Sequence, residues 1–233
     1  MTSRGFSSDK HKAVLRDLLY EIIKVVGPKV VFKGGTAAMM FYDLPRLSLD
    51  LDIDMLFSPS DEILDELNLV IRKSGIIKEH KDKKFTLFYL LSYEKNHPNI
   101  KIEFNKRIWK NNSSDIFSLF DLEIKVADKK TLFTNKLIAL TDRRISVSRD
   151  LFDVNYFLKL NFPLNEALIF ERTGKSKKEY IEYLVKYIRN NYNEKNVLHG
   201  LGEVLDKHQK IWAKNNLINE TISILEAMNQ GKP

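Results

Sequence analysis

Asp50, Asp52 and Asp54 alternate with Leu51, Ile53 and Met55. Strand side chains repeat every two residues, so an extended backbone puts all three carboxylates on one face. Asp is depleted from strands and neighbouring like charges repel, which makes such a face costly unless a cation neutralises it. Two hard-oxygen ligands on adjacent same-face positions suit Mg²⁺, and a two-metal site clamps the attacking and leaving oxygens of a phosphoryl transfer. Just upstream, Lys33-Gly34-Gly35-Thr36 lies between an apolar run and a predicted short helix. Backbone N–H groups at a helix start favour bound phosphate, and Gly34 and Gly35 let that backbone come close, with the Thr36 hydroxyl as a further donor. Lys33, Arg46 and Ser48 could each contact phosphate. The combination reads as a metal–nucleotide site.

Plainer explanations exist for each part. An exposed edge strand can carry charges that deter aggregation, the glycine pair can be a tight turn, and Arg46 can pair with Asp54. Chemistry alone serves Asp52/Asp54 as well as Asp50/Asp52. Glu103, on the polar face of a later strand, is the candidate third carboxylate, and a cross-strand pair with Lys101 or Lys84 is the alternative. Lys136 and Arg143 stand two helical turns apart and can project from one face toward phosphates, or form a solvated basic face. Arg149, Asp150 and Asp153 are spaced for local helix-surface pairs. His11, His80, His97, His199 and His208 show no metal-ligand spacing, which argues against zinc.

The elements that must hold these residues follow from periodicity. Val14, Leu15, Leu18, Leu19, Ile22 and Ile23 predict an amphipathic helix ended by Gly27-Pro28. Val30 to Phe32 predicts a buried strand, Thr36 to Phe41 a short helix, and Leu49 to Phe57 the acidic strand. A helix starts at Ser60-Asp61 and closes at Gly75, and Phe85 to Tyr93 and Ile100 to Phe104 form a hairpin across Asn96-His97-Pro98-Asn99. This is an α/β or α+β core with a mixed sheet over residues 1–127. Residues 128–233 are expected to form a helical C-terminal domain, with helices over Thr131 to Thr141 and Asp150 to Leu160 and others built on Tyr180/Leu184/Ile188, Leu198/Leu201/Leu205 and Leu217/Ile222/Leu225. Gly174 to Lys178 is the expected exposed loop, and Tyr180, Tyr183, Tyr187 and Tyr192 read as helix core with snorkelling lysines rather than a base-stacking surface.

With 233 residues, 43% of them hydrophobic, the chain can bury a real core. Its net charge of +7 suits a polyanionic partner without naming one. The absence of cysteine excludes disulfides, thiolate metal sites and cysteine nucleophiles. The N-terminus leads into a charged segment and no apolar run reaches membrane-span length, so a cytoplasmic protein with no membrane segment is expected.

Several spaced motifs agree in order: Lys33-Gly34-Gly35-Thr36-Ala37, Leu44-Pro45-Arg46-Leu47-Ser48-Leu49-Asp50-Leu51-Asp52-Ile53, Lys136-Leu137-Ile138-Ala139-Leu140 with Arg143/Arg144, and Arg149-Asp150-Leu151-Phe152-Asp153. From Lys33 to about Val154 the chain resembles the AbiEii/AbiGii-type nucleotidyltransferases of the DNA polymerase β-like superfamily, which include toxins of type IV toxin–antitoxin and phage-abortive systems. The resemblance implies a polymerase β-like core. It makes Asp50 and Asp52 the metal pair with Glu103 as third ligand, and leaves Asp54 as an extra carboxylate. It implies triphosphate contacts from Lys33, Gly34, Gly35, Thr36, Arg46, Ser48, Lys136 and Arg143, and a supporting place for Asp150 in the active centre. The implied reaction moves an NMP from an Mg²⁺-bound NTP to an acceptor hydroxyl, a tRNA 3′ end in a toxin context, with a separately encoded antitoxin. Two rivals share the residues: a small-molecule nucleotidyltransferase of the aminoglycoside-modifying kind, and a catalytically silent nucleotide-binding module.

Overall fold

The computed structural model describes residues 7–142, 147–202 and 204–230. Helix α1 (Ser8–Val26) starts where the Ser7 hydroxyl accepts the Lys10 N–H, and buries Leu15, Leu18, Leu19, Ile22 and Ile23. Strand β1 (Val30–Lys33) runs directly into α2 (Gly34–Phe41), and β2 (Leu51–Met55) follows. Helix α3 (Asp61–Lys73) takes its N-cap from Ser60. Strands β3 (Ile76–Lys83), β4 (Thr86–Ser92), β5 (Ile100–Asn105), β6 (Ser114–Leu119) and β7 (Leu122–Ala127) complete a seven-stranded sheet in the order β3-β4-β5-β2-β1-β7-β6. The sheet is mixed: β2 runs antiparallel to β1 and parallel to β5, while β1 runs parallel to β7.

One face of this sheet is the core. Val30, Phe32, Leu51, Ile53, Ile102 and Phe104 are each at most 1% exposed, and the alternate positions on the other face are Val31 and Lys33 of β1, Asp52 and Asp54 of β2, and Lys101, Glu103 and Asn105 of β5. Strand β2 lies inside the sheet between β5 and β1, so the edge-strand explanation of its aspartates does not hold. Three strands went unforeseen: β3, β6 and β7. Strand β3 is an edge strand whose residues are mostly exposed and charged, and β6 is the other edge with Ile116 exposed. Neither needs the buried apolar face that makes a strand visible in sequence.

The remaining helices are α4 (Lys129–Asp142), α5 (Ser148–Lys159), α6 (Glu166–Thr173), α7 (Lys177–Asn191) and α8 (Lys207–Asn229). Helix α6 was unforeseen; Asn165 caps its start and Gly174, at φ 68°, ends it in the left-handed conformation. Helices α7 and α8 both begin in capping boxes, Ser176 with Glu179 and Asp206 with Gln209. The predicted helix on Leu198/Leu201/Leu205 is instead a packed run of turns, in which Leu201 and Leu205 are buried and Gly200 adopts φ 76°. Two glycines, Gly200 and Gly202, remove the helical preference that the leucine spacing suggests. Tyr180 belongs to the core, its hydroxyl donating to the Leu137 carbonyl at 3.0 Å, whereas Tyr183 is exposed.

The chain groups into two compact units. One comprises Met1–Asp43, Leu47–Ile108 and Ser114–Ala127; the other comprises Leu44–Arg46, Trp109–Ser113 and Asp128–Pro233.

Candidate active site

In the first unit, β1 delivers Lys33 and the chain turns at once into α2, whose start has no side-chain cap. The first N–H groups of a helix lack intrahelical partners, so this uncapped end offers donors to an anion. Pairing across the sheet sets Lys33 opposite Asp52, Asp52 opposite Glu103, and Asp54 opposite Asn105. Directly opposed residues share a face, so the polar side of the sheet centre carries Asp52, Asp54 and Glu103 together.

Asp54 has its own cation. The Lys33 ammonium pairs with its carboxylate, and Asn105 Nδ2 donates to Oδ1 at 2.6 Å, in a position where Asp54 is only 6% exposed. Glu103 is exposed and, among the described residues, makes no hydrogen bond or ion pair, so the expected alternatives Lys101 and Lys84 do not claim it. Thr36 and Ser48, both buried, hydrogen-bond through their hydroxyls at 2.8 Å, and the Thr36 hydroxyl also donates to the Asp50 carbonyl. These two residues thus fix the backbone that enters β2 beside Asp50.

Gly34 is required twice. Its φ is 78°, and a Cβ there would sit 2.9 Å from Asp52 Cγ and closer still to Oδ2. Asp52 and the start of α2 are packed too tightly for any side chain between them. Gly34→Ala should lower nucleotide transfer by roughly 10²-fold, because the added methyl must displace the Asp52 carboxylate, and should lower stability by about 1–3 kcal/mol. Steady-state turnover and urea unfolding check the two effects; wild-type turnover in a folded variant would overturn the argument.

His11 was missed. It sits at 0% exposure on α1, its Nδ1 2.8 Å from the Tyr93 hydroxyl. Burial pushes its pKa down, more than the Leu49 carbonyl and the Asp50 carboxylate pull it up, with His97 adding to the depression. Burial thus favours the neutral imidazole beside the residues that lead into β2. The signal was present in the sequence: His11, Leu15, Leu18 and Ile22 form one helical stripe.

In the second unit, Arg46, α4 and α5 build a buried ionic cluster. Arg46 donates to both Asp153 oxygens, Nε to Oδ1 at 2.5 Å and a terminal nitrogen to Oδ2 at 2.6 Å. The Lys136 ammonium lies 2.8 Å from Asp150 Oδ1 and 2.9 Å from Asp153 Oδ2. Asp150 and Asp153 are 2% and 0% exposed, so they are not helix-surface charges. Burial opposes ionisation of Asp153, yet Arg46 and Lys136 outweigh it and hold the carboxyl below its ordinary range. Burial likewise opposes the Lys136 charge, and Asp150 and Asp153 overcome it and raise its pKa. Arg143 lies outside the described residues.

Among the described residues, no three His, Asp or Glu side chains converge closely enough to hold a metal by themselves. The donor chemistry nevertheless fits Mg²⁺, which is commonly held by one or two carboxylates plus water and substrate phosphate rather than by a complete protein cage. Asp52 and Glu103 are register neighbours on one face, and the uncapped start of α2 adjoins Asp52.

A family profile described as nucleotidyl transferase AbiEii toxin, type IV toxin–antitoxin system, matches residues 17–217. The chain belongs to the AbiEii family. An AbiEii protein is a nucleotidyltransferase, so this chain is an enzyme, and type IV membership implies an antitoxin partner. JHP933 from Helicobacter pylori is 19% identical, with 96% of this chain and 95% of that one covered at a TM-score of 0.53. A candidate nucleotidyltransferase from H. pylori is 20% identical, with 94% and 98% covered at a TM-score of 0.56. At such identity these likenesses show that the AbiEii chain shares their mixed α/β fold. No curated protein matches it significantly. Among the described residues, no helix is long and apolar enough to cross a membrane.

Proposed function

We propose that this enzyme transfers an NMP from an NTP to the 3′-terminal hydroxyl of an RNA acceptor, a tRNA in a toxin setting, with Mg²⁺ as cofactor. The observation that carries the reading is the sheet face on which Asp52 and Glu103 stand side by side while Asp54 is neutralised by Lys33. In this reading Asp50, Asp52 and Glu103 are the metal ligands. Bound Mg²⁺ would neutralise phosphate charge and lower the acidity barrier of the acceptor hydroxyl. The start of α2 at Gly34 and Gly35 receives phosphate oxygens through main-chain N–H groups. Glu103, exposed and without a protein partner among the described residues, would hold the metal that activates the acceptor hydroxyl, whose proton passes to water. The hydroxyl oxygen bonds to the α-phosphorus, the bond from that phosphorus to the bridging oxygen breaks, and pyrophosphate leaves.

Thr36 and Ser48 act by holding the Asp50 backbone, since their hydroxyls already serve each other. Lys33 and Arg46 enter this reading with carboxylates already bound, Asp54 and Asp153 respectively. Lys136 is retained as a triphosphate contact, Arg143 as a second, and Asp150 as the support that orients Lys136. The net charge of +7 suits an RNA acceptor.

Incubation with each labelled NTP, Mg²⁺ and total tRNA should place label in RNA, and chelation with EDTA should remove it. Absence of RNA labelling with every NTP, together with labelling of an aminoglycoside, would replace the RNA acceptor by a small molecule.

A further inference from the structure

Within the second unit, helix α5 carries two different sets of side chains. Asp150 and Asp153 belong to the ionic cluster, whereas Phe152, Asn155, Tyr156 and Lys159, spaced i, i+3, i+4 and i+7, line a cavity of about 410 Å³. Its other wall comes from Pro45 and from His208, Gln209 and Trp212 of α8. The volume is that of a small-molecule pocket.

The chemistry of the lining is specific. Phe152 meets Trp212 edge to face, with ring centroids 6.1 Å apart at 85°. The Lys159 ammonium lies 4.7 Å from the Trp212 ring centroid and pairs with Glu220 at 2.5 Å. That ion pair is partly exposed and hence modest in strength, so a phosphate can replace Glu220 as the partner of Lys159. Asn155, 2% exposed, is fixed by its amide donating to Thr221 Oγ1 at 3.1 Å. Gln209 donates to the Pro45 carbonyl, and Pro45 is bonded to Arg46 of the ionic cluster. Aromatic faces, fixed amides and cations together match a nucleotide: a base to stack, a base edge to hydrogen-bond and a phosphate to pair. An aliphatic ligand would leave Lys159 and His208 unmatched.

We propose that this cavity binds an unpaired nucleobase near the 3′ end of the acceptor RNA, stacked on Tyr156 and Trp212, with its phosphate held by Lys159 and His208. The proposal rests on the RNA-acceptor reading above and adds to it the place where the strand is recognised. Gln209 ties the cavity wall to the residue next to Arg46.

The chain has two tryptophans, so Trp109→Phe leaves Trp212 as the sole indole reporter. This variant is titrated with a short single-stranded RNA bearing a free 3′ end, with the same RNA abasic in its last three nucleotides, with NTP alone, and with an amphipathic helical peptide. Intact RNA should change Trp212 fluorescence saturably, and the abasic RNA should bind roughly tenfold more weakly. Lys159→Ala and the exposed His208→Ala, each folded by circular dichroism, should weaken RNA binding and raise KM for RNA labelling more than they lower kcat. Equal affinity for intact and abasic RNA, wild-type affinity in both variants, or a response confined to NTP or to the peptide would each overturn the proposal. Failure of the transferase reading looks different: label never enters RNA, whatever the fluorescence titration shows.

Discussion

Asp52→Asn should reduce NTP-dependent nucleotide transfer by at least roughly 10²–10³-fold, and with it any growth inhibition by the expressed protein, while the fold remains intact. Asn keeps the shape of Asp but loses the charge that a divalent ion requires. Asp50→Asn should fall similarly. Asp54→Asn is the informative contrast, because Asp54 already has Lys33 and Asn105 as partners. Its loss should show mainly as reduced stability, with transfer within roughly tenfold of wild type. Label incorporation and thermal unfolding of all three variants separate the two outcomes. An inactive Asp54→Asn beside an active Asp50→Asn would move the metal pair one step along the strand, and toxicity that survives Asp52→Asn would end the enzymatic account of toxicity.

Asp153→Ala should destabilise the protein by about 3–5 kcal/mol, since it leaves the Arg46 guanidinium buried with its bidentate partner gone and takes one of two carboxylates from Lys136. Urea unfolding measures the loss, and a shift under about 1 kcal/mol would mean that water reaches the cluster. The pH dependence has a defined sign. Asp153 has a depressed folded pKa, so its contribution is present above the unfolded carboxylate value of about 3.9 and disappears as pH falls through the folded value. Lys136 has a raised folded pKa, so its contribution is present below the unfolded value of about 10.4 and is lost as pH rises through the folded value. The stability gap between wild type and Asp153→Ala should therefore be widest between those limits and narrow in acid.

The strands that hold the site were legible because they are half-buried: β2 and β5 alternate apolar and polar residues, and that alternation is the record of one face on the core. Strands β3 and β6 were not, since an edge strand with few buried positions leaves no such record. The turns at residues 198–202 misled for the opposite reason, as apolar spacing there reflects burial without a helix. His11 was legible by position on its stripe but not by role, because its neighbours Tyr93 and Leu49 lie far along the chain.

By itself the sequence determined a run of alternating carboxylates next to a glycine pair, since a period of two is a local property; the strand begins at Leu51, so Asp52 and Asp54 lie on its face and Asp50 at its entrance. Only the tertiary structure decided how the charges are shared. Lys33 reaches Asp54 through strand pairing, and Arg46 reaches Asp153 across 107 positions of sequence. Which carboxylates are neutralised by the protein, and which remain for a cation, depends on distances between charges, and those distances are set by strand register and helix packing rather than by spacing along the chain.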